Sequence, residues 1–253
     1  MVTGYQLSKG RHGPEPSPTL RDLFGDGLCL TRRAMEPADL TQMNFIYQTA
    51  ETPADDSALA VAWCHTTRFR PGSEPFWYAQ AEQVLEPEHA AGLLEWLETI
   101  TDWKVNDGGF YTAEETALEA EGCPAPLTGI FSRDGLSQLA VSASALFGVD
   151  VELHGPIVVH KMTQGHGVGI HSDRPYPGEE THRLLVFLGH DAELCRGGHF
   201  ILFAGSRPED ARVVLPHRHN AGLAFRLNGD SYHAVSVKRS GVRYSLIISF
   251  RER

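Results

Sequence analysis

The second part of this 253-residue chain consists of short apolar segments separated by turn-forming residues. The segments are rich in valine, isoleucine, leucine and phenylalanine, and most are bounded by glycine, proline, aspartate or asparagine. They predict strands at residues 156–160, 182–188, 198–203, 212–215, 222–227, 233–237 and 243–250. No helical pattern lies between them. Closely spaced strands without intervening helices favour a β-sandwich or a barrel for this half of the chain.

The first 150 residues carry a different and mainly helical pattern. Apolar residues recur at helical spacing from Glu86 to Trp103, after a proline at position 87, and again from Leu136 to Phe147. Between the two helices, residues 104–128 contain Asn-Asp-Gly-Gly and Cys-Pro-Ala-Pro runs, which predict loops. Weaker patterns predict a short helix at 36–50, a strand at 59–69 and a mobile tail over 1–20.

Composition excludes several classes of protein. The 22 lysines and arginines stand against 32 aspartates and glutamates, a net charge of −10, so we expect no nucleic-acid partner. No run of 18 apolar residues predicts a membrane span, and the N-terminal region lacks the apolar core of a secretory signal. The four cysteines are far apart and form no CxxC pair, which predicts reduced thiols in a cytoplasmic protein.

A candidate metal site lies in the strand-rich half. A glycine-rich segment leads into His171-Ser-Asp173, and residues two apart on an extended chain point to the same face. His171 and Asp173 can therefore present an imidazole nitrogen and a carboxylate oxygen to one ion. His233 begins a predicted strand and is the expected third ligand. His217 and His219 have the same spacing, but no arginine follows them at the matching distance.

A candidate carboxylate receptor follows the third histidine. Arg243 comes ten residues after His233, and it shares one face of its predicted strand with Ser245. A guanidinium fork pairs with a carboxylate through two hydrogen bonds. Residues 238–241 predict a hairpin turn that places Arg243 beside the His233 strand, roughly ten ångströms from the metal. Two histidines and one carboxylate with open positions are typical of non-haem Fe(II) sites.

This pattern resembles the motif of the Fe(II)/2-oxoglutarate-dependent oxygenases, and its order resembles the prolyl-hydroxylase-like branch. The resemblance covers about residues 155–250. It comprises the glycine-rich turn, the HxD motif, the arginine-led apolar strand 183–188, the Gly197-Gly198 turn, and a histidine and an arginine ten residues apart. One feature departs from that branch, which often has a tyrosine about ten residues before the HxD to contact 2-oxoglutarate. Lys161 occupies that neighbourhood here.

The resemblance implies a fold and a domain organisation. The fold is of the α+β class, with a double-stranded β-helix (a distorted jelly roll) buttressed by N-terminal helices. It implies a single catalytic domain over residues 21–253. Within it, residues 21–150 are expected to support the core and shape the substrate pocket, and residues 151–253 to form the jelly roll with the metal site.

The resemblance also implies an activity. His171, Asp173 and His233 would hold Fe(II), while Arg243 and Ser245 would bind the co-substrate 2-oxoglutarate. With O2, such an enzyme hydroxylates an unactivated C–H bond, here of an amino-acid-like or small natural-product substrate, and releases succinate and CO2. Related halogenases have glycine or alanine in place of the carboxylate, so the aspartate favours hydroxylation over chlorination. Desaturation and ring closure by the same chemistry stay open.

Three alternatives remain at the level of the sequence. The first is a peptidyl or protein hydroxylase with the same chemistry. The second is a non-catalytic, cupin-like module that binds a small molecule on the same scaffold, because a fold does not fix a function. The third is a zinc or manganese site with hydrolytic chemistry. Neither the substrate-binding residues nor the oligomeric state follows from these patterns.

Overall fold

The computed structural model describes residues 68–118, 122–190 and 196–253. The predicted tail at 1–20, the predicted helix at 36–50 and most of the predicted strand at 59–69 lie outside the described residues. Three of the four cysteines also lie outside them. Cys123 is described, and its thiol forms no disulfide.

The described residues contain thirteen strands and three α-helices. The strands are β1 Arg70–Gly72, β2 Tyr78–Ala81, β3 Lys104–Asp107, β4 Tyr111–Leu118, β5 Val151–Leu153, β6 Ile157–Met162, β7 Gly167–His171, β8 His182–Leu188, β9 Phe200–Phe203, β10 Ala211–Leu215, β11 Gly222–Arg226, β12 Tyr232–Val235 and β13 Arg243–Glu252. The α-helices are α1 Pro87–Thr99, α2 Thr128–Phe131 and α3 Arg133–Phe147. Short 3-10 helices cover Ala125–Leu127 and Pro208–Asp210.

The strands form one curled antiparallel sheet with the order β1-β2-β11-β8-β13-β6-β4-β7-β12-β9-β10. The curl closes at β4, because the end of this long strand pairs with β6 while its first two residues pair with β7. Strands on either side of β4 thus form two facing walls. This arrangement confirms the predicted double-stranded β-helix.

Strand β13 shows how the two faces of the sheet differ. It lies between β8 and β6 in antiparallel register. Its side chains alternate, as the sequence predicts. Tyr244, Leu246, Ile248 and Phe250 face outward into one hydrophobic cluster, whereas Ile247 packs against the inner cluster. Ser245 and Arg243, which lie two and four residues before Ile247, face inward as well.

Helices α1 and α3 cover the outer face of the sheet, which confirms the predicted buttress. Pro87 opens α1, whose Ala90, Leu93, Leu94 and Leu97 are buried. Ser132 caps α3 by accepting a hydrogen bond from the Gly135 amide, so this helix begins three residues earlier than predicted. It ends at Gly148, which has φ = 70°. The apolar stripes of both helices share one cluster with the outward side chains of β8 and β13.

The inner cluster packs between the two walls. The chamber is the part of this space that His171, Asp173, His233, Arg243 and Ser245 face, and the cluster forms its floor. Its buried members come from nine strands that belong to both walls, and they include Met162, Leu185, Phe187, Phe200, Phe225 and Val235. The cluster also contains Phe76, Tyr78 and Ala113 from the first part of the chain.

The prediction of loops over residues 104–128 is wrong for 104–107 and 111–118, where β3 and β4 form an antiparallel hairpin. The Asn-Asp-Gly-Gly run supplies its turn, in which the Gly108 amide donates to the Tyr111 carbonyl at 2.9 Å and Gly109 has φ = 83°. Strand β4 is rich in threonine and glutamate, and only Ala113 and Leu118 of its side chains are buried. Apolar alternation therefore does not mark it as a strand.

The predicted hairpin between β12 and β13 is also wrong. Each strand offers two edges for pairing, and here both edges of each are occupied by other strands. Strand β12 pairs with β7 and β9, whereas β13 pairs with β6 and β8. The residues between them cross from one wall to the other. Arg243 therefore faces the chamber from the wall opposite His233.

Among the three described stretches, no helix has the length and apolar character that a bilayer crossing requires.

Candidate metal centre

Two histidines meet across neighbouring strands at one end of the chamber. His171 is the last residue of β7, and it lies directly opposite His233 on β12. Side chains of directly opposed residues are close neighbours on one face of a sheet. The two ring centroids are 4.3 Å apart. The sheet therefore brings together two imidazoles that are 62 residues apart in the sequence.

Asp173 completes the cluster from the segment just after β7. Its Oδ1 lies 3.6 Å from Nε2 of His171, and its Oδ2 lies 3.6 Å from Nε2 of His233. One ligand atom from each of the three residues fits within 4.8 Å of the others. The three predicted side chains thus converge on one point, as two nitrogens and one carboxylate.

The protonation of both imidazoles suits a metal. Nδ1 of His171 lies 2.9 Å from the Gly169 carbonyl, and Nδ1 of His233 lies 2.8 Å from the Ser231 carbonyl. A carbonyl only accepts, so Nδ1 carries the proton in each ring and the Nε2 lone pair points to the cluster. Burial, followed by the nearby His171, lowers the pKa of His233 to about 3, so this ring stays neutral at pH 7.

A close approach by the β3–β4 hairpin explains the glycines before His171. The Gly169 amide donates to the Phe110 carbonyl at 2.6 Å. A Cβ on Gly169 would lie 3.2 Å from that oxygen, which is tighter than ordinary packing. The ring of Phe110 then rests 5.8 Å from the His171 ring and stays 61 % exposed. The hairpin turn therefore borders the metal cluster.

Arg183 binds the carboxylate of the cluster. The sequence marks it as the first residue of an apolar strand but assigns it no role at the site. Its Nη1 donates to Oδ2 of Asp173 at 2.5 Å, and its Nη2 donates to Glu180. Burial opposes ionisation of Asp173, but Arg183 and the two histidines outweigh it and hold the pKa of Asp173 below its usual value. The signal that could have identified Arg183 is its charge at an inward-facing position of the otherwise apolar strand β8.

The carboxylate receptor faces the same chamber. Arg243 is 2 % exposed and Ser245 3 %. The guanidinium lies over the Phe187 ring at 5.1 Å, and its Nη1 lies 3.5 Å from the Met162 sulfur. Nε of Arg243 and Oγ of Ser245 are buried without a hydrogen-bond partner among the described residues.

The receptor therefore holds a cation that no described carboxylate neutralises. Burial lowers the pKa of Arg243 to about 9, which still leaves it charged at pH 7. A buried charge and a buried hydroxyl without partners are costly unless a ligand satisfies them. A carboxylate supplies both the opposite charge and the acceptors that the guanidinium requires.

A polar cluster on β4 and β6 lines the chamber beside Ser245. Tyr111 donates to Glu115, and Nε2 of His160 lies 3.1 Å from the same carboxylate. The Tyr111 hydroxyl is also 3.0 Å from Nε2 of His160. Burial lowers the pKa of His160 to about 4, and burial together with Glu115 raises that of Tyr111, so both stay neutral. Sequence patterns missed Tyr111 and Glu115 because β4 carries mainly polar residues.

Lys161, which occupies the neighbourhood of the family's tyrosine, faces the other way. Its ammonium is 2.7 Å from Glu114 and 5.0 Å from the ring of Trp103. His160 and Met162, on either side of it, face the chamber instead.

The rival histidine pair, His217 and His219, does not join the metal cluster. His217 is buried, and its Nε2 lies 3.4 Å from the Tyr244 carbonyl.

No protein-family model and no curated protein sequence match this chain. Solved structures do match it. A 2OG-Fe(II) oxygenase family oxidoreductase from Burkholderia pseudomallei has a TM-score of 0.52 at 14% identity, covering 70% of this chain and 85% of that one. A prolyl-4-hydroxylase from Pseudomonas putida has a TM-score of 0.52 at 15% identity, covering 70% and 92%.

A third similar structure contains a bound peptide. It is a prolyl hydroxylase from Trichoplax adhaerens, in complex with a peptide fragment of a hypoxia inducible factor. Its TM-score is 0.55 at 13% identity, covering 69% of this chain and 83% of that one. Since identities are this low, these similarities bear on the fold. They show that the chain has the double-stranded β-helix fold of the 2OG-Fe(II) oxygenases, prolyl hydroxylases included.

Proposed function

We propose that the chain is an Fe(II)- and 2-oxoglutarate-dependent oxygenase. It would hydroxylate an unactivated C–H bond of an amino-acid-like or small natural-product substrate and release succinate and CO2. One observation carries the proposal: two imidazoles and a carboxylate converge in the same chamber as a buried arginine that no described carboxylate neutralises. A metal and an anion are the two ligands that such a chamber accommodates together.

The metal cluster suits Fe(II) by the chemistry of its donors. Two imidazoles and one carboxylate bind one side of an ion and leave positions on the other side for further ligands. The protons on Nδ1 of His171 and His233 fix both rings with Nε2 towards the ion. Bound Fe(II), with 2-oxoglutarate and O2, would supply the oxidising chemistry, while the chain supplies ligands, orientation and exclusion of water.

The receptor suits the distal carboxylate of 2-oxoglutarate. Arg243 and Ser245 lie on one face of β13, and both side chains are buried. In water-free surroundings, a charged hydrogen bond is worth more than it is at the surface. The residues of this chain would therefore anchor the co-substrate at one end, and the keto-acid end would extend towards the metal.

The walls near the metal support a polar substrate. Arg183 and Glu180 form an ion pair beside Asp173, and Tyr111, Glu115 and His160 present hydrogen-bonding groups. An amino-acid-like molecule has both charges and hydrogen-bonding groups to match such a surface. Retention of Asp173 favours hydroxylation, because the carboxylate occupies the position that related halogenases leave to chloride.

A peptidyl hydroxylase is the second candidate, and two exposed aromatic side chains favour it. Phe110 borders His171, and Tyr176, three residues after Asp173, is 76 % exposed. Exposed aromatic residues near a site are common anchors for a larger partner. A polypeptide could contact both of them while one of its side chains enters the chamber.

A two-stage experiment tests the proposal. The protein, purified without oxygen, is first titrated with Fe(II) and 2-oxoglutarate, and we expect one of each to bind per chain. It is then exposed to O2 with a panel of free amino acids and peptides, and succinate is measured. Succinate that rises with a free amino acid supports the first candidate, and succinate that rises only with peptides supports the second. A cupin-like binding module would release none, and a zinc hydrolase would not bind 2-oxoglutarate with Fe(II).

A further inference from the structure

Glu115 is a carboxylate of the chamber wall that no described cation neutralises. On β4 it shares a face with Tyr111 and Ala113, which both pack in the inner cluster. Its described partners are the Asn106 amide at 3.4 Å, the Tyr111 hydroxyl, and Nε2 of His160 at 3.1 Å. Burial lowers the pKa of His160 to about 4, so this ring is neutral at pH 7 like the other two partners.

Two cations of the same walls are engaged by other carboxylates. Lys161 faces the opposite side of the sheet, where its ammonium lies 2.7 Å from Glu114. Arg183 is shared between Asp173 and Glu180. Neither cation is therefore left for the carboxylate in the chamber.

Loading the proposed site would not neutralise Glu115 either. Fe(II) and the guanidiniums of Arg183 and Arg243 would together contribute four positive charges. The carboxylates of Asp173 and Glu180, with the two of 2-oxoglutarate, would contribute four negative charges. The metal centre and the receptor would thus balance each other, and the negative charge of Glu115 would remain.

Glu115 belongs to a row of inward-facing residues that leads to the receptor. It lies directly opposite His160 on β6, and His160 lies directly opposite Ser245 on β13. Two strand spacings separate Glu115 from Ser245, which is roughly 10 Å. Ser245 is 3 % exposed, and its Oγ has no hydrogen-bond partner in the described stretches. A buried hydroxyl without a partner indicates that this row lines a space for a ligand.

The two groups that hold the Glu115 carboxylate lie within electrostatic reach of the metal cluster. Burial raises the pKa of Tyr111 and lowers that of His160, and the charge of Arg183 lowers both. Arg183 is the residue that binds Asp173. A molecule that contacts Glu115 can therefore also extend towards the metal.

We propose that Glu115 binds the substrate and selects one with a positively charged nitrogen, an ammonium or a guanidinium. This inference rests on the proposed function and narrows its substrate class to cationic amines. A hydrogen bond between two charged groups is about twice as strong as one between neutral groups. An uncharged analogue would leave the carboxylate with neutral partners alone, so the charged molecule binds more tightly.

The test compares cationic compounds with uncharged analogues of similar shape. The pairs are arginine and citrulline, lysine and Nε-acetyllysine, leucine and N-acetylleucine, and a short peptide that carries either arginine or citrulline. Wild-type protein loaded with Fe(II) and 2-oxoglutarate is titrated with each compound without oxygen, by calorimetry. Glu115→Gln retains the shape and removes the charge. Glu114→Gln, a glutamate on the opposite face of the same strand, is the control.

We expect the cationic member of at least one pair to bind wild type about tenfold or more tightly than its analogue. In Glu115→Gln its dissociation constant should rise about 10- to 100-fold, the effect of losing one charged hydrogen bond. The dissociation constants of the uncharged analogue and of 2-oxoglutarate should not change. The control should retain the preference, and Glu115→Asp should retain part of it.

Wild type that binds Fe(II) and 2-oxoglutarate but prefers no cationic compound would overturn the inference and leave the proposed function intact. A preference that persists in Glu115→Gln, or weaker binding of 2-oxoglutarate by that variant, would overturn it as well. Wild type that binds no 2-oxoglutarate would overturn both. If Glu115→Gln does not fold, the comparison of the pairs on wild type and on Glu115→Asp decides the question.

Discussion

Arg183 and Asp173 form a hydrogen-bonded ion pair at the edge of the metal cluster, with Nη1 2.5 Å from Oδ2. Glu180 holds the second nitrogen of the same guanidinium. The carboxylate therefore has one oxygen engaged by the arginine, and Oδ1 remains directed towards His171. A carboxylate held at one oxygen presents the other to an ion in a fixed position, which makes Arg183 an orienting partner of the cluster.

Replacing Arg183 tests this orienting role. In Arg183→Met, Asp173 loses the partner that fixes its rotamer, and we expect metal affinity to fall about 10- to 100-fold, as is typical when such a partner is removed. Fe(II) titration without oxygen measures the effect, and the absorption of bound Co(II) reports the geometry. Arg174→Met, which changes an exposed neighbour, is the control and should bind metal like wild type. Equal affinities for both variants would contradict the role.

Replacing Arg243 tests the receptor. Arg243→Met removes the guanidinium and keeps a long apolar stem, so the distal carboxylate loses its bidentate partner. We expect the dissociation constant of 2-oxoglutarate to rise roughly 100-fold, in keeping with the loss of about 3 kcal/mol of charged hydrogen bonding. Arg251→Met, on the exposed end of the same strand, should leave it unchanged. A wild-type dissociation constant in Arg243→Met would refute the assignment.

The same variant should be more stable than wild type when no ligand is bound. Burial lowers the pKa of Arg243 to about 9, well below its unfolded value, so the folded state disfavours the charged form. The free-energy cost of burying the charged guanidinium is therefore fully present below pH 9 and declines as the pH rises above 9.

Thermal unfolding checks the sign of this effect. We expect Arg243→Met to melt higher than wild type at pH 7, by roughly 2–4 °C for each kcal/mol of relieved cost, and the difference to shrink above pH 9. Adding 2-oxoglutarate to the Fe(II)-loaded proteins should raise the melting temperature of wild type more than that of Arg243→Met. A variant that melts lower at pH 7 would mean that the arginine stabilises the empty fold.

Replacing Tyr111 tests the polar cluster. Tyr111→Phe keeps the ring and removes the hydroxyl that donates to Glu115. The metal and 2-oxoglutarate would contact other residues, so their affinities should not change. The KM of an accepted substrate should rise roughly tenfold, as expected for one lost hydrogen bond of the chamber wall. Ser137→Ala, which removes an exposed hydroxyl of α3 on the outer side of the sheet, is the control. A weaker affinity for 2-oxoglutarate in Tyr111→Phe would instead place this cluster at the co-substrate.

Replacing Gly198 with alanine tests how closely the side chains around the receptor are packed. Gly198→Ala introduces a Cβ against the stems of Arg243 and Lys238 at a residue with φ = 72°. The backbone alone costs about 1–2 kcal/mol for an L-residue. Gly148→Ala is a matched control, since φ is 70° there and no atom lies within 4 Å of the added Cβ. Both should melt lower, and only Gly198→Ala should weaken 2-oxoglutarate binding.

The elements that the sequence predicted well are those set by local alternation. Strand β8 runs from His182 to Leu188 as predicted, and the two faces of β13 separate as predicted, because side-chain direction in a strand depends only on the parity of the residue. Pairing of strands is different, since it depends on residues far away. Four other strands occupy both edges of β12 and both edges of β13. The turn signal at residues 238–241 therefore did not indicate a true hairpin.

The residues of the candidate site also fall into those that local patterns mark and those that only strand pairing brings together. His171, Asp173 and His233 could be selected from spacing and residue type. Tyr111 and Glu115 could not, because β4 carries threonines and glutamates without an apolar period. Only the pairing of β4 with both β6 and β7 places them in the chamber. Their contribution follows from topology rather than from any motif.

Anaerobic binding of Fe(II) and 2-oxoglutarate to wild type and to Asp173→Ala tests whether the three ligands and the buried arginine form one site. We expect wild type to bind one Fe(II) per chain and to bind 2-oxoglutarate tightly only once Fe(II) is present, and we expect both properties to be lost or severely weakened in the variant. Wild type that binds no Fe(II), or a variant that binds Fe(II) and 2-oxoglutarate as well as wild type, would contradict this expectation.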